Sequence, residues 1–560
     1  MGIGNRRYPS FAIRAAGALA ILSIAATPST QPTIPLIEGL GSYTRTVTTD
    51  SAEAQRYFNQ GLALTHGFNH GAAIRSFQEA ARLDPDCAMA HWGIAYAAGP
   101  HINFPAVPPP MAELAWKELA LARSAKHVSP VEKEVIEALS HRYANPQPED
   151  RTGLDRAYAD AMRELWHRHP DDPDIGAWFA ESLMDLRPWD QWSAKGQPEP
   201  GTEEVISTLD AVLKLNQNHP FANHLYIHAL EASPTPERAL PAADRLRDLQ
   251  PGLAHNVHMP SHIDIRVGNW QKAVVMNQKA VEADRKYRDA VGPPTGMLIV
   301  YSAHNRHMLS FAAMMTGQSR LAIDHIRAMA GELPDDFIRQ FSLMAEGFLA
   351  MPDEVLVRFG KWDDILNESF TPKDYTPFTN AFHHAARAIA LAAKGDTAGA
   401  RAEQKTYAEL ATKIPAEETI HNNTAADICA VITPMVEGEI LLREGKADEG
   451  IASLRAAVAL EDTLKYDEPP GWLIPVRHSL GANLLNQGKY AEAEQVYRAD
   501  LARLPGNGWS LYGLSRALQA QGKTEEANAT MTAFRQVWSH ADMQINSSCL
   551  CRPLAEAKVQ

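Results

Sequence analysis

RYFNQGLALTHGFNHGAAIRSFQEAARLDPD, residues 56–86, has the punctuation of a helical hairpin. Gly61, Ala73 and Ala80 are small enough to let two helices cross closely. Phe77 fills the space that such a crossing leaves, and Pro85 ends the hairpin because its ring cannot continue a helix. Leu64 adds an apolar contact. Beyond residue 50 the chain is a succession of such helical patterns broken by Gly and Pro, and almost nothing alternates like a strand. The fold class read from this is all-α.

The same grammar returns in VRHSLGANLLNQGKYAEAEQVYRADLARLPGN through Leu480, Gly481, Leu484, Gly488, Ala493, Tyr497 and Pro505. The next segment continues it with Leu514, Leu518, Gly522 and Ala527. These positions resemble the tetratricopeptide repeat, a family of stacked helix-turn-helix units. Degenerate units fit around Ala239–Pro251, Gly268–Ala280, Gly317–Pro334, Gly395–Tyr407 and Gly438–Ala457. The resemblance implies a right-handed superhelical solenoid over residues 51–540, with a tail at 541–560. Four stretches break the period: 101–110, 188–201, 287–296 and 465–475. An enzyme uses such insertions to roof a site, whereas a docking solenoid carries them on its edges.

Composition is that of a soluble folded protein, 45% hydrophobic and 21% charged. The N-terminus reads as an export signal over residues 1–26: a basic region with Arg6, Arg7 and Arg14, an apolar run from Ala15 to Ile24, and small residues Ala25 and Ala26. Residues 27–50 follow as a linker. The apolar run is too short to span a membrane, so a periplasmic or secreted protein without a membrane span is expected. Net charge is −14, and −17 without the three leader arginines, which argues against nucleic acid as a partner. Of the four cysteines, only Cys549 and Cys551 are close in sequence. A strained bridge, a soft-metal clip and incidental thiols on a flexible tail all fit the pair, and no role is assigned to it.

Two His-x-x-x-His motifs stand one repeat apart, His224/His228 and His258/His262, with partners 34 residues apart in both cases. One such pair is expected by chance in a chain with 22 histidines, but two in phase with a repeat are not. Numbered by the family pattern, both pairs take positions 5 and 9 of a first helix, His307 takes position 5 of the following one and His304 position 2. The resemblance places these residues on the concave, ligand-facing groove. Residues i and i+4 share a helix face about 6 Å apart, and packed helices lie about 8–10 Å apart, so the imidazoles can converge on an ion. Buried histidines that only pack helices are the plainer alternative.

Glu231 extends the first motif and could supply an oxygen ligand or a base. Glu181 and Asp185 repeat the i,i+4 spacing with carboxylates and are further catalytic candidates. Neutral imidazoles with few carboxylates favour copper, zinc or iron over magnesium or calcium. Six histidines divided three and three would resemble a coupled dicopper centre. A His/His/Glu set resembles zinc hydrolases only in composition, because His-Glu-x-x-His is absent. Glu468, within 465–475, and Arg477, just after it, are candidate substrate contacts, with an interrupted repeat as the other reading. No nucleophile elbow, P-loop, dinucleotide fingerprint or haem motif is present. The expected function is metal-dependent chemistry on a small or peptide ligand in the groove. A protein-interaction scaffold for envelope proteins, without catalysis, is the alternative.

Overall fold

The computed structural model describes residues 34–551. The expected leader at 1–26, the start of the expected linker and the last nine residues of the tail lie outside them. The chain divides into two compact units, one reaching Asp190 and including Gly201–Ala222, the other formed by Gln191–Pro200 and the chain from Asn223 onward. Both are built of helical hairpins. Among the described residues the only strands are Thr419–Ile420 and Asn423–Thr424, which pair antiparallel. Among the same residues no helix is long and apolar enough to cross a membrane.

The first unit opens with the hairpin Ala52–His66 and His70–Leu83. Ser51 and Asn69 cap its two helices by accepting from Ala54 N and Ala72 N. Phe77 lies between Gly61 of its own hairpin and Gly93 of the next helix, Ala88–Ala97. The second unit repeats the device. Tyr497, on Tyr490–Arg503, lies between Gly481 and Gly513, on Val476–Asn486 and Gly508–Ala520. A Cβ added at any of these four glycines would lie under 3.0 Å from the ring.

The second unit continues the pattern through Leu240–Leu249, Trp270–Val291, Met297–Met315 and Ser319–Glu332. Gly268 and Gly317 turn the chain between paired helices at φ of 82° and 72°, a left-handed conformation that side chains resist. Two segments depart from expectation. His258 and His262 do not share an unbroken helix: Ala254–His258 ends before Pro260, which starts Pro260–Arg266. Proline has no N–H to continue the hydrogen-bond ladder. Residues 287–291, expected in a loop, complete the long Trp270–Val291 helix.

The 465–475 insertion is packed into the second unit. Trp472 is buried, and the Leu473 N–H donates to Glu354 at 2.8 Å. Burial, only partly offset by that N–H, raises the Glu354 carboxyl to about 8.

Gly to Ala in a helix ordinarily stabilises, but Gly481→Ala and Gly513→Ala should destabilise by about 1–3 kcal/mol because the methyl meets Tyr497. Gly331→Ala, with open space around it, should be neutral or stabilising. Thermal melts that rank the three alike would contradict the wedge. A second set of melts checks Glu354. Its raised pKa makes a stability contribution that is present in acid and lost as pH rises from the usual carboxylate range through about 8. Glu354→Gln should therefore melt later than the parent at pH about 9 and alike at pH about 4.

Candidate metal centre

Every predicted histidine of the ladder lies in the second unit. His224 and His228 project from Pro220–Glu231, one helical turn apart, with ring centroids 5.0 Å apart. His255 joins them from Ala254–His258, 4.9 Å from His224. Each of the three offers a nitrogen, and these atoms lie within 4.8 Å of one another. A second set meets the same measure: His258, His262 and His304. His304 comes from Met297–Met315, its ring centroid 4.6 Å from His258 and 5.6 Å from His262. The two sets adjoin, with centroids 5.8 Å apart for His228 and His262 and 5.9 Å for His255 and His258.

Outer contacts orient the rings. Asn277 Nδ2 donates to the Ala273 carbonyl at 2.8 Å, which turns Asn277 Oδ1 toward His258 Nδ1 at 2.6 Å. His258 therefore carries its proton on Nδ1 and has a lone pair on Nε2. Glu231 holds one ring from each set: Oε1 meets His228 Nδ1 at 2.8 Å, and Oε2 meets His262 Nδ1 at 2.5 Å. With Nδ1 hydrogen-bonded to Glu231, His228 can ligate only through Nε2, whereas His262, Glu231 and Glu468 form a further group whose possible ligand atoms lie within 4.8 Å of one another. The Nε2 atoms of His258 and His262 face each other at 2.7 Å. That is a hydrogen-bond distance, and a charged His262 donates its Nε2 proton to the His258 lone pair.

The electrostatics agree. Burial opposes charge on Glu231, but His262 and His228 outweigh it and hold the carboxyl down at about 2. Burial likewise opposes charge on His262, and Glu231 with Glu468 overcomes it, raising the imidazole to about 10. His255, His258 and His304 are pushed well below the usual histidine range by burial and by neighbouring imidazoles, so they are neutral ligand forms.

The 465–475 insertion completes the wall. Glu468 Oε2 lies 3.3 Å from His262 Nδ1, and Tyr466 donates to Glu468. Burial and Glu231, against the pull of His262, bring the Glu468 carboxyl up to about 7. Arg477 lies elsewhere, paired with Asp462 at 2.6 Å.

Three expectations change. The rings do not line an open groove: His224, His228, His255, His258 and His262 are 0–6% exposed, and only His304 is half-buried. His307 belongs to neither set of three donors and stacks instead on His421, at 5.2 Å between ring centroids. Glu181 and Asp185 are in the first unit, where Tyr96 donates to Glu181 at 2.5 Å and Arg142 pairs with Asp185. His255 was missed, yet His255, His258 and His262 stand at i, i+3 and i+7, one helical face.

Residues 484–533 match the family model described as tetratricopeptide repeat. No match is found among curated proteins. Among solved structures, the Cut9–Hcn1 hetero-tetramer of the APC/C is 14% identical, covering 83% of this chain and 76% of its own, with a TM-score of 0.31. The human IFIT1 dimer with m7Gppp-AAAA is 12% identical, covering 88% and 91%, with a TM-score of 0.31. The P58(IPK) TPR domain is 13% identical, covering 87% and 93%, with a TM-score of 0.19.

Glu231→Ala leaves two buried imidazoles without their carboxylate. In metal-free protein it should cost about 3–5 kcal/mol. A urea midpoint equal to the parent's would show that the contact has no such role.

Proposed function

We propose that this tetratricopeptide-repeat protein holds a pair of transition-metal ions in its second unit, one in each three-histidine set, and uses them in chemistry on a small molecule. One observation carries the reading: two sets of three histidines, His224/His228/His255 and His258/His262/His304, each bring their ring nitrogens within 4.8 Å of one another. Outer contacts such as those from Asn277 and Glu231 are what orient metal-ligating histidines. Three protein ligands per ion leave a coordination position for substrate. Six imidazoles without a thiolate suit copper best on intrinsic affinity, with zinc and iron the other ions of this ligand class.

Bound ions would supply Lewis-acid or redox chemistry. The chain's own groups do the rest. Glu231 holds one ring from each set in register, so that neither ion's ligands can turn without disturbing the other's. Glu468, with a carboxyl near neutrality and a contact to His262, is placed to hold or move a proton at Oε2. Burial of the rings excludes bulk water and favours a small substrate over an extended peptide. The leader supports a periplasmic or secreted setting. A second reading, a scaffold that binds envelope proteins, is supported by the family match at 484–533.

The protein purified from an exporting host without an affinity tag should contain two transition-metal ions per chain by elemental analysis. His258→Ala/His262→Ala should lose at least one of them. A metal-free wild type that takes up no ion on reconstitution, or a double variant with unchanged content, would leave the scaffold as the standing reading.

A further inference from the structure

A separate cluster lies where the C-terminal segment meets the Ala425–Arg443 helix, and three of its groups are metal-ligand types. Cys549 and Cys551 sit on one side and Glu439 on the other, all buried. Their donor atoms lie within 4.8 Å of one another although the chain between Glu439 and Cys549 is over a hundred residues long.

Several contacts place the cysteines there. Asp542 accepts from Ser319 N at 2.8 Å, Ser319 Oγ at 2.7 Å and Arg320 N at 2.8 Å, which caps the Ser319–Glu332 helix and anchors the segment. The Ser548 carbonyl accepts from Arg358 Nη2 at 2.6 Å, and Ser548 Oγ donates to the His478 carbonyl at 2.8 Å. Tyr497, the ring of the second wedge, shares a 2.6 Å hydrogen bond with Ser548 Oγ. The residue next to Cys549 is thus tied to three elements of the second unit.

We propose that Glu439, Cys549 and Cys551 form a second metal site, independent of the histidine centre, that takes one thiophilic ion of the zinc or cuprous class and clamps the C-terminal segment to the Ala425–Arg443 helix. Two thiolates select such ions over magnesium or calcium, and a carboxylate completes a three-ligand set. The charge of the surroundings supports it. Arg358 is 3% exposed, and among the described residues no carboxylate lies within ion-pair distance of it; Asp500 is reached only through His478, at 2.9 Å to the guanidinium and 3.0 Å to Asp500. Around zinc(II), two thiolates and one carboxylate carry a net charge of about −1, which the adjacent guanidinium balances. On binding, each thiol gives its proton to solvent and its sulfur lone pair to the ion, with no change of oxidation state.

Cobalt(II) titration of the full chain, reduced, stripped of metal and kept anaerobic, tests this. The wild type should show a thiolate-to-cobalt charge-transfer band that saturates at one ion. His258→Ala/His262→Ala should keep that band, which separates this site from the histidine reading. Cys549→Ser/Cys551→Ser should lose it, and Glu439→Gln should bind about 10–100-fold more weakly. The single variant Cys551→Ser, checked for native helix content by circular dichroism, covers the case in which the double variant unfolds. It too should lose the band. A wild type without the band, a band that persists in folded Cys551→Ser, or a Cys549–Cys551 disulfide whose reduction brings no metal binding would overturn the proposal.

Discussion

An aromatic ring held between two glycines sets how closely successive helical hairpins approach. Phe77 takes that place against Gly61 and Gly93, and Tyr497 takes it against Gly481 and Gly513. The ring occupies the volume a Cβ would have filled, so three helices share one contact and the next hairpin must start at a fixed distance and rotation. A larger residue at any of the glycines would part the helices, and side chains one repeat apart would no longer meet. Tyr497 has a second duty through Ser548, which holds the C-terminal segment in place.

Close stacking is what allows Glu231 to serve two hairpins at once. Its carboxylate takes His228 from its own helix and His262 from the next repeat unit. Burial makes an isolated carboxylate expensive, and an isolated imidazolium likewise; Glu231 and His262 hold each other charged. The result is a rigid outer layer whose inner atoms are ring nitrogens. Asn277, itself pinned by the Ala273 carbonyl, does the same for His258 without adding charge. That separation of roles, carboxylate and amide outside and imidazole inside, is what the proposed metal reading builds on.

Much of this was legible in the residues. Alternation of small, aromatic and proline positions marks the hairpins, and each survives degenerate repeats because helix crossing cannot tolerate bulk at those points. The 34-residue phase of the two His-x-x-x-His motifs located the histidine cluster, since equal repeat position means equal place on neighbouring helices. Less legible was which histidines would meet. His255 lies outside the repeat phase, and it enters because the Ala254–His258 helix brings its ring to 4.9 Å from His224. His307, in phase, stacks on His421 instead.

The sequence by itself determined the helical repeat, its register, and the histidine-bearing segments, because helix period and packing volume are local properties read from a few residues. Only the tertiary structure decided that the histidines divide into two sets, that Glu231 joins one ring from each, and that Glu468 reaches them from an insertion more than two hundred residues later. It also decided that Cys549 and Cys551, unremarkable in a terminal segment, lie buried against Glu439. Those meetings depend on how loops and chain ends fold back over the helices, and contacts between distant segments leave no period in the sequence to read.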